Sequence, residues 1–157
     1  MDKEQALKKL KKYCAYQERC HLEIRTKLIS IEVYGDMLEE IIVELINEGF
    51  LDEERFARSY ARGKFRMKKW GRNRIIQELS RRNISDYCIK KGMEEIEEDE
   101  YEKVLKAIII DKLSKSTDKD SLIAKDLAIK YASKKGFEPV EIFKIIRELE
   151  LNSNNLF

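Results

Sequence analysis

Apolar and polar residues follow one another along this chain with a helical rhythm, and the rhythm repeats. Ile84, Ile89, Met93 and Ile96 are separated by steps of 5, 4 and 3. The same steps occur at Val33, Leu38, Ile42 and Leu45, and again at Phe137, Ile142, Ile146 and Leu149. Apolar residues also stand nine and five positions before each set: Ile24 and Leu28, Ile75 and Leu79, Ala128 and Ala132. Six apolar positions thus recur three times, offset by 51 and then 53 residues. Self-similarity at such a period marks a repeat architecture.

The spacing has a mechanical reading. Steps of 4 and 3 place three side chains on one stripe of an α-helix. The step of 5 fits a hydrophobic staple, in which an apolar residue just outside the helix packs on one in its second turn. Ser85-Asp86 and Glu138-Pro139 supply start signals in the second and third copies, proline suiting the first helical position; Tyr34-Gly35-Asp36 is a weaker start in the first. A short helix is predicted before each staple, near residues 19–31, 73–82 and 122–135. Before those lie helices near 3–16, 53–69 and 99–114, the last striped by Val104, Leu105, Ile108 and Ile109. The expected fold class is all-α, an elongated array of three tandem three-helix repeats. They cover 1–49, 50–97 and 98–151, with a polar tail over 152–157 and a loop at Ser114–Asp120. One such repeat has too little core to stand alone, so neighbours are expected to share apolar surface. An ordinary nine-helix globule is the alternative.

Composition narrows the classes. The chain has 157 residues, 43% hydrophobic, with one Pro and six Gly, which argues against collagen-like, linker-like or turn-dense all-β structure. No apolar run approaches the ~20 residues of a membrane-spanning helix. Met1-Asp2-Lys3-Glu4-Gln5 lacks the apolar core of a signal peptide, so a cytoplasmic place is expected. Cys14, Cys20 and Cys88 are an odd count, unlike a disulfide framework, and Cys20-His21 lacks the paired spacings of structural zinc. There is no Walker-type loop, GxGxxG or HExxH, so neither enzymatic activity, a cofactor nor a metal is expected.

Charge changes the picture most. The chain carries 32 Lys+Arg against 30 Asp+Glu, for a net charge of only +2. Yet Arg55–Arg82 holds eleven bases and one acid, Glu78, for a local charge of +10. Glu39–Glu54 before it and Glu94–Glu102 after it hold seven acids each and no base. At 100° per residue, Arg55, Arg58, Arg62, Arg66 and Lys69 fall within an arc of about 80°. Phe56, Tyr60, Gly63 and Met67 share a separate arc, centred about 130° away. One face is free to pack while the other presents cations, mostly arginines whose planar fork matches phosphate or carboxylate. Arg72, Arg74, Arg81 and Arg82 support that row, and Trp70 is a candidate for stacking. Phe56, Tyr60, Ile75, Leu79, Ile84 and Ile89 are expected to hold the middle repeat together. The partner of the row is nucleic-acid phosphate, an acidic protein groove, or the chain's own acidic runs.

Gly49-Phe50-Leu51-Asp52-Glu53-Glu54-Arg55-Phe56-Ala57-Arg58-Ser59-Tyr60-Ala61-Arg62 resembles the signature of RecX regulatory proteins. Lys69-Trp70-Gly71, then Arg74–Leu79, then Asn83-Ile84 continue the resemblance, which is strongest over about 49–96. Many relatives carry proline after the glycine, where this chain has Arg72. The resemblance implies a non-enzymatic modulator of the RecA recombinase that binds the RecA–DNA filament, most simply inhibiting its assembly and activities, and so regulates homologous recombination, DNA repair and the SOS response. It implies the RecA nucleoprotein filament and DNA as partners, the DNA met through the middle repeat, and no membrane. A monomer is expected. A stand-alone nucleic-acid-binding module and a helical scaffold for an acidic protein stay open as alternatives.

Overall fold

The computed structural model describes residues 1–116 and 121–155, with side chains described as far as Asn152. Among the described residues the chain is all-α and has no strand. The helices are α1 (Lys3–Tyr16), α2 (His21–Ser30), α3 (Gly35–Asn47), α4 (Glu53–Lys68), α5 (Arg72–Arg81), α6 (Asp86–Met93), α7 (Glu98–Lys115), α8 (Ser121–Lys135) and α9 (Pro139–Asn155). The helices before each staple end within two residues of where periodicity places them. Of the loop expected at Ser114–Asp120, α7 takes Ser114 and Lys115, and 117–120 lie outside the described residues. From Asn152 to Asn155 the segment expected as a tail continues α9; 156–157 lie outside the described residues.

The repeat is most legible where α2, α5 and α8 end. Glu32, Asn83 and Gly136 hold φ of 62°, 59° and 104° at equivalent positions. Immediately after each, Val33, Ile84 and Phe137 donate their N–H to the carbonyls of Leu28, Leu79 and Ala132, five residues back, at 2.9, 3.2 and 3.1 Å. This left-handed closure satisfies helix-end carbonyls and swings the next residue inward. All three staple residues are buried. Glutamate and asparagine occupy the left-handed position in the first two copies, at a cost of roughly 1–2 kcal/mol that glycine avoids in the third. The next helices begin as the sequence indicates: α3 follows Tyr34 without a side-chain cap, Ser85 Oγ accepts the Cys88 N–H before α6, and α9 opens on Pro139.

Packing gathers the chain into two compact units. One comprises Met1–Tyr60 with Glu78–Gly92; the other comprises Ala61–Gln77 with Met93 onward. In the first, α1, α2 and α3 pack on one another around Ala6, Leu10, Ile24, Leu28, Ile41 and Leu45. In the second, α7, α8 and α9 do the same, with Tyr101, Leu105, Ile109, Ala132, Phe137 and Ile142 buried. Both α4 and α5 contribute one portion to each unit.

The apolar arc expected on α4 needs correction. Phe56, Ala57, Ala61 and Phe65 are buried, Tyr60 and Gly63 are half-buried, and Met67 is 82% exposed. Small residues decide this. A Cβ on Gly92 of α6 would stand 2.8 Å from the Ala57 carbonyl oxygen, so α4 and α6 pack closely on the side that carries alanine. Counting bulky residues alone places the stripe too far round the helix.

Candidate nucleic-acid interface

The signature around Gly49 is explained largely by folding. Gly49 has φ 79° and lets the Phe50 N–H reach the Leu45 carbonyl at 2.9 Å. Leu51 is buried in the first unit. Asp52 accepts the Arg55 N–H at 2.9 Å and caps the start of α4. Phe56 and Ala57 are then buried on the inner face of the helix, with Phe56 beside Tyr60 at 5.6 Å between ring centroids.

The cations that the basic stretch places in the first unit are engaged. Arg55 pairs with Glu18 at 2.8 Å and donates to the Gly49 carbonyl at 3.0 Å. Arg58 pairs with Glu54 at 3.2 Å. Arg81 and Arg82 both reach Glu78, the one acid of the basic stretch, at 3.0 and 3.3 Å. Arg82 also lies 4.9 Å above the Tyr60 ring. Ile84, Ile89 and Leu79 are buried beneath.

In the second unit two arginines are engaged as firmly. Arg62 pairs with Glu95. Arg72, whose side chain is 18% exposed, pairs with Glu98 at 2.5 Å and Glu138 at 3.0 Å, and its guanidinium lies 3.9 Å from the centroid of the Tyr101 ring. Its backbone N–H donates to the Tyr101 hydroxyl at 2.9 Å, and that hydroxyl donates to Glu138. A proline at position 72 would lack this donor. Burial disfavours the Arg72 charge, but Glu138, Tyr101 and Glu98 outweigh it and raise its pKa. Burial, with Glu138 beside it, pushes the Tyr101 phenol far up and keeps it protonated. Phe65 and Phe137 flank that ring at 5.7 and 5.1 Å. Arg72 is thus built into the packing of α5 on α7 and α9, a role that local sequence did not reveal.

The end of α4 and the start of α5 differ. Arg66, Lys68 and Lys69 are exposed, Arg74 is half-exposed, and none has a carboxylate partner among the described residues. Trp70 is half-buried. The Arg74 guanidinium stands 4.2 Å, and the Lys64 ammonium 5.1 Å, from its ring centroid. The indole is therefore already engaged by cations, a geometry suited to holding a guanidinium fork in place. Buried Ile75 anchors this end of α5. The proposed row therefore divides: Arg55, Arg58, Arg62, Arg72, Arg81 and Arg82 are ion-paired, whereas Arg66, Lys69 and Arg74 face solvent without one. Lys68 joins the latter group.

The flanking acidic runs are engaged too. Glu39 pairs with Arg25, Glu40 and Glu44 with Lys3, and Glu48 with Lys11. Glu98, Glu102 and Glu141 place carboxylate oxygens within 4.8 Å of one another, but Arg72 and Lys144 already hold the first two. Cys14, Cys20 and Cys88 are free and buried. Burial raises all three thiols, Cys20 to about 11, so they stay protonated and poorly nucleophilic near neutrality.

Comparison with known proteins shows what this chain resembles. Residues 52–93 match the family described as RecX, second three-helix domain. The proteins named Regulatory protein RecX from Bacillus thuringiensis (strain Al Hakam) and Bacillus anthracis (strain A0248) are each 28% identical over 118 residues, covering 74% of this chain and 43% of theirs. The match thus spans less than half the length of those relatives. RecX from Lactobacillus salivarius superposes with a TM-score of 0.86 at 22% identity, over 95% of this chain and 97% of that one. Another regulatory protein RecX structure gives 0.83 at 19% identity, over 93% and 71%. Residues 52–93 thus resemble the RecX second three-helix domain, and the two solved structures share this chain's fold.

Proposed function

We propose that this RecX family chain binds the RecA–DNA filament as a monomer and limits its assembly and its recombinase and ATPase activities, thereby regulating DNA repair and recombination. The observation that carries the reading is the cation group at the end of α4 and the start of α5. Arg66, Lys69 and Arg74 lack carboxylate partners among the described residues, while six neighbouring arginines have them. An exposed cation group of this kind suits a polyanion, and a nucleoprotein filament presents one along its length. Tighter binding to one filament state or end than to another shifts assembly by that difference in free energy. Such regulation needs no catalytic step and no cofactor.

The test is a titration into RecA filaments on single-stranded DNA, following ATP hydrolysis and complex mass. The wild type is expected to lower hydrolysis. The triple variant Arg66→Glu/Lys69→Glu/Arg74→Glu is expected to need at least tenfold more protein while its circular dichroism stays helical. Inhibition undiminished in that variant would take the cation group out of the mechanism. Hydrolysis untouched by the wild type would end the reading as a filament regulator.

A further inference from the structure

We propose that the phosphodiester backbone of a nucleic-acid strand is held at a junction of two segments far apart in sequence, the α4–α5 connection and the last turn of α8. Lys135 is a phosphate ligand there beside Lys68, Lys69 and Arg74. The inference rests on the nucleic-acid contact proposed above and adds a residue that neither the basic stretch nor the matched 52–93 region contains.

Two glycines build the junction. The Gly71 N–H donates to the Lys135 carbonyl, and the Asn73 N–H to the Gly136 carbonyl, both at 2.9 Å. A Cβ on Gly71 would stand 2.3 Å from the Gly136 backbone, and one on Gly136 would stand 2.4 Å from the Arg74 Cβ. Backbone meets backbone, so the end of α8 is fixed in register with the start of α5. That register carries the Lys135 ammonium to the Lys68 carbonyl at 2.8 Å.

One of its three N–H donors serves that carbonyl, and two remain for a ligand. Close by in the chain, Lys69 is held in the left-handed conformation, φ 55°, by the turn that ends α4. Arg74 is oriented on the Trp70 indole. Four cationic residues belong to this junction, and no carboxylate pairs with Lys68, Lys69, Arg74 or Lys135 among the described residues. A row of monoanionic phosphates suits such point charges and one guanidinium fork. An acidic protein surface is the competing class, and a phosphate strand is favoured because nothing in the group is apolar apart from the half-buried indole.

Trp70 is the chain's one tryptophan, so its emission reports on this junction in the full chain. The probe is an oligothymidylate titrated at several salt concentrations, with poly-glutamate in parallel. The oligothymidylate is expected to change Trp70 emission saturably, with affinity falling as salt rises. Lys135→Glu and Lys135→Gln should each flatten the log–log salt dependence by about 0.7, one single-strand phosphate contact. Glutamine keeps a donor for the Lys68 carbonyl, so it separates loss of charge from loss of fold. Lys135→Arg should keep the wild-type slope, and so should Lys9→Glu, an equal charge change on exposed α1.

A wild-type slope in both Lys135→Glu and Lys135→Gln overturns the inference. So does an equal loss in Lys9→Glu, or an emission change with poly-glutamate alone. Each of those results leaves filament regulation standing if the wild type still inhibits RecA. Oligothymidylate binding as expected, with RecA hydrolysis untouched, supports the junction and removes the filament reading instead.

Discussion

The two ends of α4 carry the same kind of residue to different fates. At its start, in the first unit, Arg55 and Arg58 meet Glu18 and Glu54 at 2.8 and 3.2 Å. At its end, in the second unit, Arg66 and Lys68 meet no carboxylate among the described residues, and α5 opens with Arg72 clamped between two glutamates and Arg74 resting on an indole. Helical periodicity puts Arg55, Arg58, Arg62, Arg66 and Lys69 on one stripe and treats them alike. The fold supplies carboxylates to some and withholds them from others. A charged residue's partner is the property that a one-dimensional pattern carries least well, because that partner arrives from another helix.

That contrast can be broken at several points. The largest effect is expected at the glycine lock beside the cation group. Gly71→Ala forces a Cβ into the Gly136 backbone and should cost about 3 kcal/mol or more in urea unfolding. Gly63→Ala meets nothing within 4 Å and should be neutral or stabilising by roughly 0.5–1 kcal/mol in the same assay. Next comes the clamped arginine. Arg72→Met leaves Glu138 short of its cation in a mostly buried site and should cost about 2 kcal/mol, below the 3–5 of a fully buried pair. Salt-dependent oligonucleotide binding, measured alongside, should change little.

The partnerless group should behave in the opposite way. Arg66→Glu/Lys69→Glu/Arg74→Glu should alter stability by only about 0.5 kcal/mol per site while binding falls at least tenfold. At the other end of α4, Glu18→Ala exposes Arg55 by removing an exposed pair worth about 0–1 kcal/mol. Its melting temperature should move slightly and its binding should not weaken.

Alkaline titration gives the smallest effect and separates the two units. Burial raises Cys20 in the first unit from an ordinary 9.0 to about 11. A raised thiol favours the folded state while both states are neutral, so this contribution is complete below pH 9. It is lost as the unfolded thiol ionises between pH 9 and 11. By pH 9.5 the loss should remain under about 1 kcal/mol. Cys20→Ala should flatten that part of the urea midpoint against pH. In the second unit Tyr101 is raised from an ordinary 10.0, so its contribution should hold until pH rises past 10, and Tyr101→Phe should leave the curve below pH 9.5 unchanged in slope.

Much of the fold was legible because its determinants are local. Three copies of a six-position pattern located the staples, and Pro139 and Ser85 marked two helix starts. Sixteen of those eighteen positions are buried, with Met93 and Leu149 half-buried. What periodicity missed on α4 was the part played by small residues. Ala57 and Ala61 are buried, and Gly92 lets α6 approach Ala57 closely, whereas a pattern weighted to bulky residues selects Met67. The site was less legible. The basic stretch marked the region, but Lys135 lies 67 residues beyond the carbonyl it reaches. Gly71 and Gly136 gave no sign in sequence that their backbones touch.

The sequence by itself determined the all-α class, the threefold helical period and the segregation of charge. Each depends on residues within a turn or two of one another, where helix geometry alone sets who faces whom. Only the tertiary structure decided which cations are committed to the fold and which remain available to a partner. Glu18 comes to Arg55 across 37 residues, Glu138 to Arg72 across 66, and Lys135 to Lys68 across 67. Coulomb and hydrogen-bond energies act at distances of a few ångströms, and packing, not chain order, sets those distances.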